Sequence, residues 1–139
     1  MEKKNKLLLV DDDASCLLEI IGILKQDYEL NTAKNGPAAI DRAEKSQPDL
    51  IILDVIMPDM SGFDVITKLK ESDKTKDIPV VFASGAESND DERRGLELGA
   101  IDYIRKPIDE TIVRLRIKNH IDNINLHNEK DAMIGDLRK

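Results

Sequence analysis

The residues of this chain that can do chemistry follow four short apolar runs. The runs and the polar residues after them are Leu7–Val10 with Asp11 and Asp12, Leu50–Leu53 with Asp54, Val80–Ala83 with Ser84, and Ile101–Ile104 with Lys106. The carboxyl ends of strands in an open parallel sheet share one edge, so we expect these side chains to meet there. Hard oxygen ligands suit Mg²⁺ and fixed positive charge suits phosphate oxygens. The pattern therefore predicts phosphoryl chemistry.

Three aspartates, Asp11, Asp12 and Asp13, stand in a row after the first run. One explanation is capping of the next helix, because a carboxylate is favourable at a helix N-terminus, and we assign Asp13 to that role. Two adjacent acids at a strand end repel each other unless a cation compensates them. The presence of Asp54 elsewhere then favours metal binding by Asp11 and Asp12 over capping.

A carboxylate held at the end of a rigid strand, such as Asp54, can act as a nucleophile and form an aspartyl phosphate. A lone aspartate there is more often a turn former, but its predicted neighbours favour the chemical role. Lys106 precedes Pro107, which restricts its backbone to extended conformations, and its ammonium can reach phosphate oxygens. Ser84 can donate one hydrogen bond to the same group, although a serine before a glycine is also common in simple turns.

The elements that must position these residues are five strands and five helices in alternation. The apolar runs do not alternate with polar residues, which is typical of parallel strands covered on both faces. A weaker strand is predicted over Tyr28 to Ala33. Helical spacing of three and four marks the buried faces, including Leu17, Leu18, Ile21 and Leu24 of the first helix and Val113, Ile117, Ile121 and Ile124 of the last. This alternation predicts a doubly wound α/β domain.

The chain is expected to form one domain over residues 1–124, followed by a polar helical extension or linker over 125–139. A helix from Asp109 to Lys139 would span about 46 Å, longer than such a domain needs. The excess suggests a linker or a pairing helix. Asn123, Asn125, Asn128 and Gly135 weaken the case for a continuous helix.

Composition excludes several classes of protein. The chain has 139 residues, a formal net charge of −7, two Phe, two Tyr and no Trp, so we expect no direct nucleic-acid binding. The first apolar run is too short for a signal peptide or a membrane span. The single Cys16 cannot form an internal disulfide. We therefore expect a cytoplasmic protein without a membrane segment.

Four motifs in this order resemble the receiver domain of two-component response regulators, over roughly Lys4 to Ile124. They are Val10-Asp11-Asp12, Leu53-Asp54-Val55-Ile56-Met57-Pro58, Ala83-Ser84-Gly85 and Tyr103-Ile104-Arg105-Lys106-Pro107. The resemblance implies a flavodoxin-like five-stranded parallel sheet in the order 2-1-3-4-5, with helices on both faces. It also implies a signalling receiver that catalyses only its own phosphorylation and dephosphorylation.

The same resemblance assigns roles residue by residue. Asp54 corresponds to the phospho-accepting aspartate. Asp11, Asp12, Asp54 and the backbone carbonyl of Ile56 correspond to the Mg²⁺ ligands. Lys106 corresponds to the phosphate-contacting lysine, Ser84 to the switch hydroxyl and Tyr103 to the aromatic switch. The implied donor is a histidine kinase or a phosphotransfer protein, and the tail can lead to an output domain or a downstream target.

Two alternatives stay open. Asp11-Asp12-Asp13-Ala14-Ser15 fits the Asp-x-Asp-x-Ser pattern of haloacid-dehalogenase-like phosphatases, with Asp11 as nucleophile, but that interpretation leaves the segment after Asp54 unexplained. A receiver-like module that binds partners without phosphorylation would be expected to lose acidic or lysine positions, and this sequence keeps them. We also expect weak homodimerisation, strengthened by phosphorylation, through the face of the fourth helix, fifth strand and fifth helix, with the apolar stripe of the extended last helix contributing. Phosphoryl hydrolysis should be slow because Ile56 and Ala86 cannot hydrogen-bond a water.

Overall fold

The computed structural model of the chain describes residues 4–85 and 89–137, with residues 130–137 described by their backbone alone. Parts of the sequence predictions lie outside the described residues. They are Ala86 and the ends of the predicted domain and extension, residues 1–3 and 138–139. The elements are β1 (Lys6–Val10), α1 (Ala14–Leu24), β2 (Glu29–Ala33), α2 (Gly36–Ser46), β3 (Leu50–Leu53), α3 (Gly62–Glu71), β4 (Val80–Ser84), α4 (Asn89–Glu97), β5 (Asp102–Arg105) and α5 (Glu110–Leu137).

The five strands form one parallel sheet in the order β2-β1-β3-β4-β5. The predicted fold class is therefore confirmed. The central strand β3 is buried at every position, as are β4 and most of β1. Their continuous apolar sequences follow from this position, because a parallel strand between two helical layers has no face turned to water.

Each face of the sheet has its own hydrophobic core. One core lies between the sheet and helices α2 and α3. It includes Leu8, Ile51, Phe82 and Tyr103 of the strands. On the other face, Leu9, Ile52 and their neighbours pack against α1 and α5. Full burial of one such side chain contributes about 1.5–3 kcal/mol to folding, so the two layers fix the strands that carry the polar residues.

Short polar side chains begin the first three helices. The carboxylate of Asp13 accepts a hydrogen bond from the Ser15 amide at 2.9 Å, which confirms the capping role predicted for it. Asn35 and Ser61 cap α2 and α3 in the same way. These caps place the helix starts close to the carboxyl edge of the sheet.

The structure corrects the predicted buried face of the first helix and confirms that of the last. Leu18 is 69% exposed, and Ile20 and Ile23 are buried instead. As predicted, Val113, Ile117 and Ile121 are buried in the domain's own core, with Ile124 packed against it. The stripe on the last helix is therefore covered by the sheet and α1, and it supplies no surface for pairing.

Helix α5 is continuous for 28 residues, to Leu137. The asparagines and Gly135, which weakened the case for a continuous helix, do not interrupt it. Asn125 exchanges side-chain hydrogen bonds of 2.9 and 3.2 Å with Asn5, which also donates to Asp49 at 3.2 Å. A tertiary contact thus outweighs the low helix propensity of asparagine. No helix within the described ranges is long and apolar enough to cross a membrane.

Candidate functional site

Three carboxylates meet at the carboxyl edge of the sheet. One oxygen each from Asp11, Asp12 and Asp54 lies within 4.8 Å of the other two. The pairing of β1 with β3 produces this arrangement, because Val10 is the register partner of Leu53 and its carbonyl accepts the Asp54 amide at 2.9 Å. Asp11 and Asp54 are buried, whereas Asp12 is exposed. The cluster is open to solvent on the Asp12 side.

Lys106 extends from the end of β5 into this cluster. Its Nζ lies 2.7 Å from Asp11 Oδ2 and 3.7 Å from Asp54 Oδ1. Its backbone amide donates to the Ser84 carbonyl at 3.0 Å, and its peptide bond to Pro107 is cis. Burial acts to lower the pKa of Lys106, but the hydrogen bond from Lys106 to Asp11 and the charges of Asp54 and Asp11 together raise it. The ammonium therefore stays charged.

One lysine does not compensate the acidic cluster. Burial, and next the negative charge of Asp11, raise the pKa of Asp54 from 3.8 to about 6, although Lys106 and the Ile56 backbone act in the opposite direction. Both oxygens of Asp11 are already hydrogen-bonded, Oδ1 to the Asp13 amide at 2.9 Å and Oδ2 to Lys106. With its three carboxylates ionised, the cluster therefore carries more negative charge than Lys106 balances.

Ser84 and Tyr103 lie on the neighbouring strands β4 and β5. Ser84 is fully buried at the end of β4, and Tyr103 is 4% exposed, with its ring 6.1 Å from that of Phe82. Burial raises the pKa of Tyr103, and the nearby Ser84 side chain opposes that shift. Within the described residues, the Tyr103 hydroxyl makes no hydrogen bond. The aromatic side chain thus points into the core beside the strand of Ser84.

Ile56 and Gly62 flank Asp54 from the following loop. The Ile56 side chain is 66% exposed, two positions after Asp54. Gly62 begins α3, and its amide donates to the Val55 carbonyl at 2.7 Å. A Cβ at Gly62 would lie 2.2 Å from the Asp54 carbonyl oxygen, so only glycine lets α3 start this close to the Asp54 backbone. Sequence reasoning missed this contact.

The predicted site residues therefore lie together. Asp11, Asp12, Asp54 and Lys106 form one cluster, and Ser84 and Tyr103 lie on the two strands next to it. Cys16 of α1 lies beside Asp13, with its Sγ 3.6 Å from Asp13 Oδ2. This arrangement can hold a cation on oxygen ligands beside an ammonium that contacts a phosphoryl group.

The family model of the response regulator receiver domain matches residues 7–118. The chain belongs to this family. Its sheet order is that of the flavodoxin-like receiver fold, as the solved structures similar to it also indicate.

Curated relatives share the receiver region. The chain is 36% identical over 117 residues to a probable cyclic di-GMP phosphodiesterase of Vibrio cholerae, a match that covers 84% of this chain and 26% of the relative. It is 40% identical over 115 residues to the response regulator PleD of Caulobacter vibrioides, covering 82% of this chain and 25% of that protein. The chain thus spans about a quarter of the length of these relatives.

Solved structures match nearly over their whole length. The chemotaxis protein CheY4 of Vibrio cholerae has a TM-score of 0.79 and 28% identity, covering 84% of this chain and 98% of that one. The signal receiver domain of a LuxO repressor protein from Vibrio parahaemolyticus has a TM-score of 0.84 and 29% identity. The match covers 91% of this chain and 96% of that one. This likeness extends the family assignment to the three-dimensional fold.

Proposed function

We propose that this chain is a phosphorylation-controlled switch that accepts a phosphoryl group on Asp54 from a histidine kinase or phosphotransfer protein, with Mg²⁺ as cofactor. The observation that carries the proposal is the contact of Lys106 with two buried carboxylates beside Asp12. With Mg²⁺ on the carboxylates, the cation and Lys106 would neutralise and orient phosphoryl oxygens, and positioning and charge stabilisation are most of what phosphoryl transfer requires.

The acidic cluster fits Mg²⁺. Its donors are carboxylate oxygens, the ligands that this ion prefers, and few protein ligands suffice because Mg²⁺ retains several waters. The raised pKa of Asp54 supports the same assignment, because burial and then the charge of Asp11 disfavour its ionised form, which a bound cation would favour. Asp11, Asp12 and Asp54 would hold the ion, and the Ile56 carbonyl is the proposed additional ligand. When bound, the ion neutralises charge on the phosphoryl oxygens.

The proposed reaction is a direct transfer. An oxygen of the Asp54 carboxylate attacks the phosphorus of a phosphohistidine, the new O–P bond forms as the N–P bond breaks, and the imidazole leaves with that electron pair. Lys106 binds a phosphoryl oxygen by charge, and Ser84 donates a hydrogen bond to another. With a pKa of about 6, Asp54 is mostly ionised at pH 7 and available as the nucleophile.

The geometry favours Asp54 over Asp11 as the nucleophile. Both oxygens of Asp11 accept hydrogen bonds, and Asp13, the acid/base residue of the phosphatase alternative, caps α1. Incubation with acetyl phosphate and Mg²⁺, followed by peptide mapping, tests the proposal. We expect label on Asp54 that is lost in Asp54→Asn. Label that persists in Asp54→Asn but disappears in Asp11→Asn would instead support a phosphatase-like reaction.

The same proposal includes a signalling setting. Switching would use Ser84 and Tyr103, and a cytoplasmic location is consistent with a single cysteine. An output domain or a separate target would read the state of the switch. We also propose weak self-association through α4, β5 and α5, where Leu96 and Ile112 are partly exposed. Sedimentation velocity with and without beryllofluoride tests it, and an unchanged monomer at high concentration would contradict it.

A further inference from the structure

The two edge strands of the sheet carry the same hydrogen-bonded arrangement. On β2, Asn31 Oδ1 accepts from the Thr32 amide at 2.9 Å, and Arg42 of α2 donates to the Thr32 carbonyl at 2.5 Å and to Asn31 Oδ1 at 3.1 Å. On β5, Asp102 Oδ1 accepts from the Tyr103 amide at 2.8 Å.

The arginine of the following helix completes the β5 arrangement. Arg116 of α5 donates to the Tyr103 carbonyl at 3.3 Å and lies 3.6 Å from Asp102 Oδ1. We call the two arrangements the β2 clasp (Asn31, Thr32, Arg42) and the β5 clasp (Asp102, Tyr103, Arg116). Each joins an edge strand to the helix that follows it.

Both clasps bind backbone groups that have no strand partner. Ala33 accepts from the Asp11 amide of the β1 segment, and the Lys106 amide donates to Ser84 of β4. Alternate residues of a strand direct their backbone groups to opposite sides. Thr32 and Tyr103 therefore present their amide and carbonyl groups outward, where the clasps satisfy them.

The β5 clasp differs from the β2 clasp in what it is connected to. Tyr103 is in register with Phe82, and its ring is buried in the core, whereas Thr32 is only partly buried. Asp102 Oδ2 also lies 2.9 Å from Nε2 of His120, one turn beyond Arg116 on α5. The β5 clasp thus joins a buried aromatic residue to two successive turns of the longest helix.

We infer that Asp102 and Arg116 are positioning residues that couple the backbone of Tyr103 to α5. The inference rests on the proposed function, in which Tyr103 responds to phosphorylation of Asp54. The side chains of Tyr103 and Asp102 point to opposite faces of the sheet, because they are neighbours on one strand. A shift of Tyr103 in the core on one face therefore moves the acceptors that Arg116 and His120 contact on the other.

The side chains of the β5 clasp can be truncated without opening the core. The side chain of Arg116 is 46% exposed and that of Asp102 is 24% exposed. Arg42 offers a matched control, because it is also an exposed arginine that binds an outward-facing carbonyl and an Asx oxygen. Its strand lies on the far edge of the sheet from Tyr103.

The experiment uses the full chain with Mg²⁺, with and without beryllofluoride as the phosphoryl mimic. Tyr28→Phe leaves Tyr103 as the sole tyrosine, so 3-fluorotyrosine labelling gives one ¹⁹F signal for the switch residue. Amide hydrogen exchange over residues 117–129 reports on α5. Arg116→Ala and Asp102→Ala are each compared with Arg42→Ala in this background.

We expect beryllofluoride to shift the ¹⁹F signal in all variants. The change in α5 exchange should fall by about fivefold or more in Arg116→Ala and Asp102→Ala, the range typical of coupling between sites, and should persist in Arg42→Ala. An α5 response in Arg116→Ala equal to that in Arg42→Ala would overturn the inference alone. An absent α5 response in the parent would do the same.

Failure of the proposed function has a different signature. Two results would contradict the proposed switch, and the coupling that rests on it. One is a ¹⁹F signal in the parent that beryllofluoride does not shift, and the other is an equal shift in Asp54→Asn. The measurement is repeated at two protein concentrations. If the loss of the α5 exchange response in Arg116→Ala depends on protein concentration, the arginine lies in a contact between copies of the chain. That result would overturn the intramolecular coupling.

Discussion

The two ends of the sheet use similar polar residues with opposite results. At the amino end, Asp49 Oδ2 accepts from the Lys6 amide at 2.8 Å and from Asn5 at 3.2 Å, and Asn5 also pairs with Asn125. At the carboxyl end, burial and Asp11 raise the pKa of Asp54 to about 6. The polar groups of the amino end bind one another and hold the fold together. Those of the carboxyl end retain excess charge, which a ligand can compensate.

The most severe test of this contrast is the removal of one carboxylate at each end. Asp54→Asn should lower the rate of phosphorylation by acetyl phosphate at least about a hundredfold, because it removes the nucleophile. Asp49→Asn should leave the rate within about threefold of the parent, since it changes only structural hydrogen bonds. Phosphorylated protein is quantified by intact mass. Equal losses in the two variants would remove the distinction between the ends.

Phosphorylation at the carboxyl end should also depend on a bound metal ion. Phosphorylation should stop in EDTA and return with Mg²⁺. Asp12→Ala should lose this metal response, with no loss of stability, because Asp12 is exposed and its removal relieves repulsion between like charges. Titration calorimetry and thermal unfolding check the two halves of the prediction. Phosphorylation that continues in EDTA at the parent rate would contradict the metal assignment.

The excess charge should also appear as a pH dependence of stability in metal-free protein. Because the pKa of Asp54 is raised from 3.8 to about 6 in the folded state, the folded state binds the proton more tightly. Stability should therefore fall as pH rises from about 4 to about 6 and change little above that range.

Asp54→Asn should lack this fall. At pH 7 it should be more stable than the parent by about 1–2 kcal/mol, after allowance for solvent screening. Urea unfolding in EDTA across this pH range measures the difference. At the opposite end, Asn125→Ala should instead lower the free energy of unfolding by about 1 kcal/mol at every pH, the usual cost of a lost hydrogen bond. If the free energy of unfolding depends on pH in the same way in the parent and in Asp54→Asn, the predicted pH dependence does not arise from the raised pKa of Asp54.

The smallest expected effect concerns the lifetime of the phosphoryl group. Ile56 is exposed beside Asp54 and cannot hydrogen-bond an attacking water. We expect Ile56→Asn to shorten the lifetime by less than about tenfold, because a polar group can orient that water. Loss of phosphorylated protein over time is followed by mass spectrometry, with Ile56→Leu as the control. A longer lifetime in Ile56→Asn than in Ile56→Leu would argue against shielding.

The parts of the fold that depend on local sequence were predictable. Continuous apolar runs indicated the buried strands. The rule that strand ends share an edge predicted from the sequence alone that Asp11, Asp54 and Lys106 lie together. The first helix was harder, because it is apolar on nearly every side and its pattern does not select a face. This is why Leu18 was wrongly expected to be buried.

Contacts between distant residues were not predictable. Asn125 weakens a helix when it is considered alone, but it pairs with Asn5 across 120 positions of the chain. The approach of Gly62 to the Asp54 carbonyl depends on how α3 meets β3. The arginines of the two clasps resemble ordinary surface charges in the sequence, because only the fold shows which backbone groups lack a strand partner.

The pairing of Asn5 with Asn125 also decides how the surfaces of the molecule are divided. It fixes the distal part of α5 at the amino end of the sheet, whereas Asp54 lies at the carboxyl end. A strand of five residues separates these ends by about 17 Å. The acidic cluster and the Asn125 turn of α5 therefore present separate surfaces at opposite ends of the sheet.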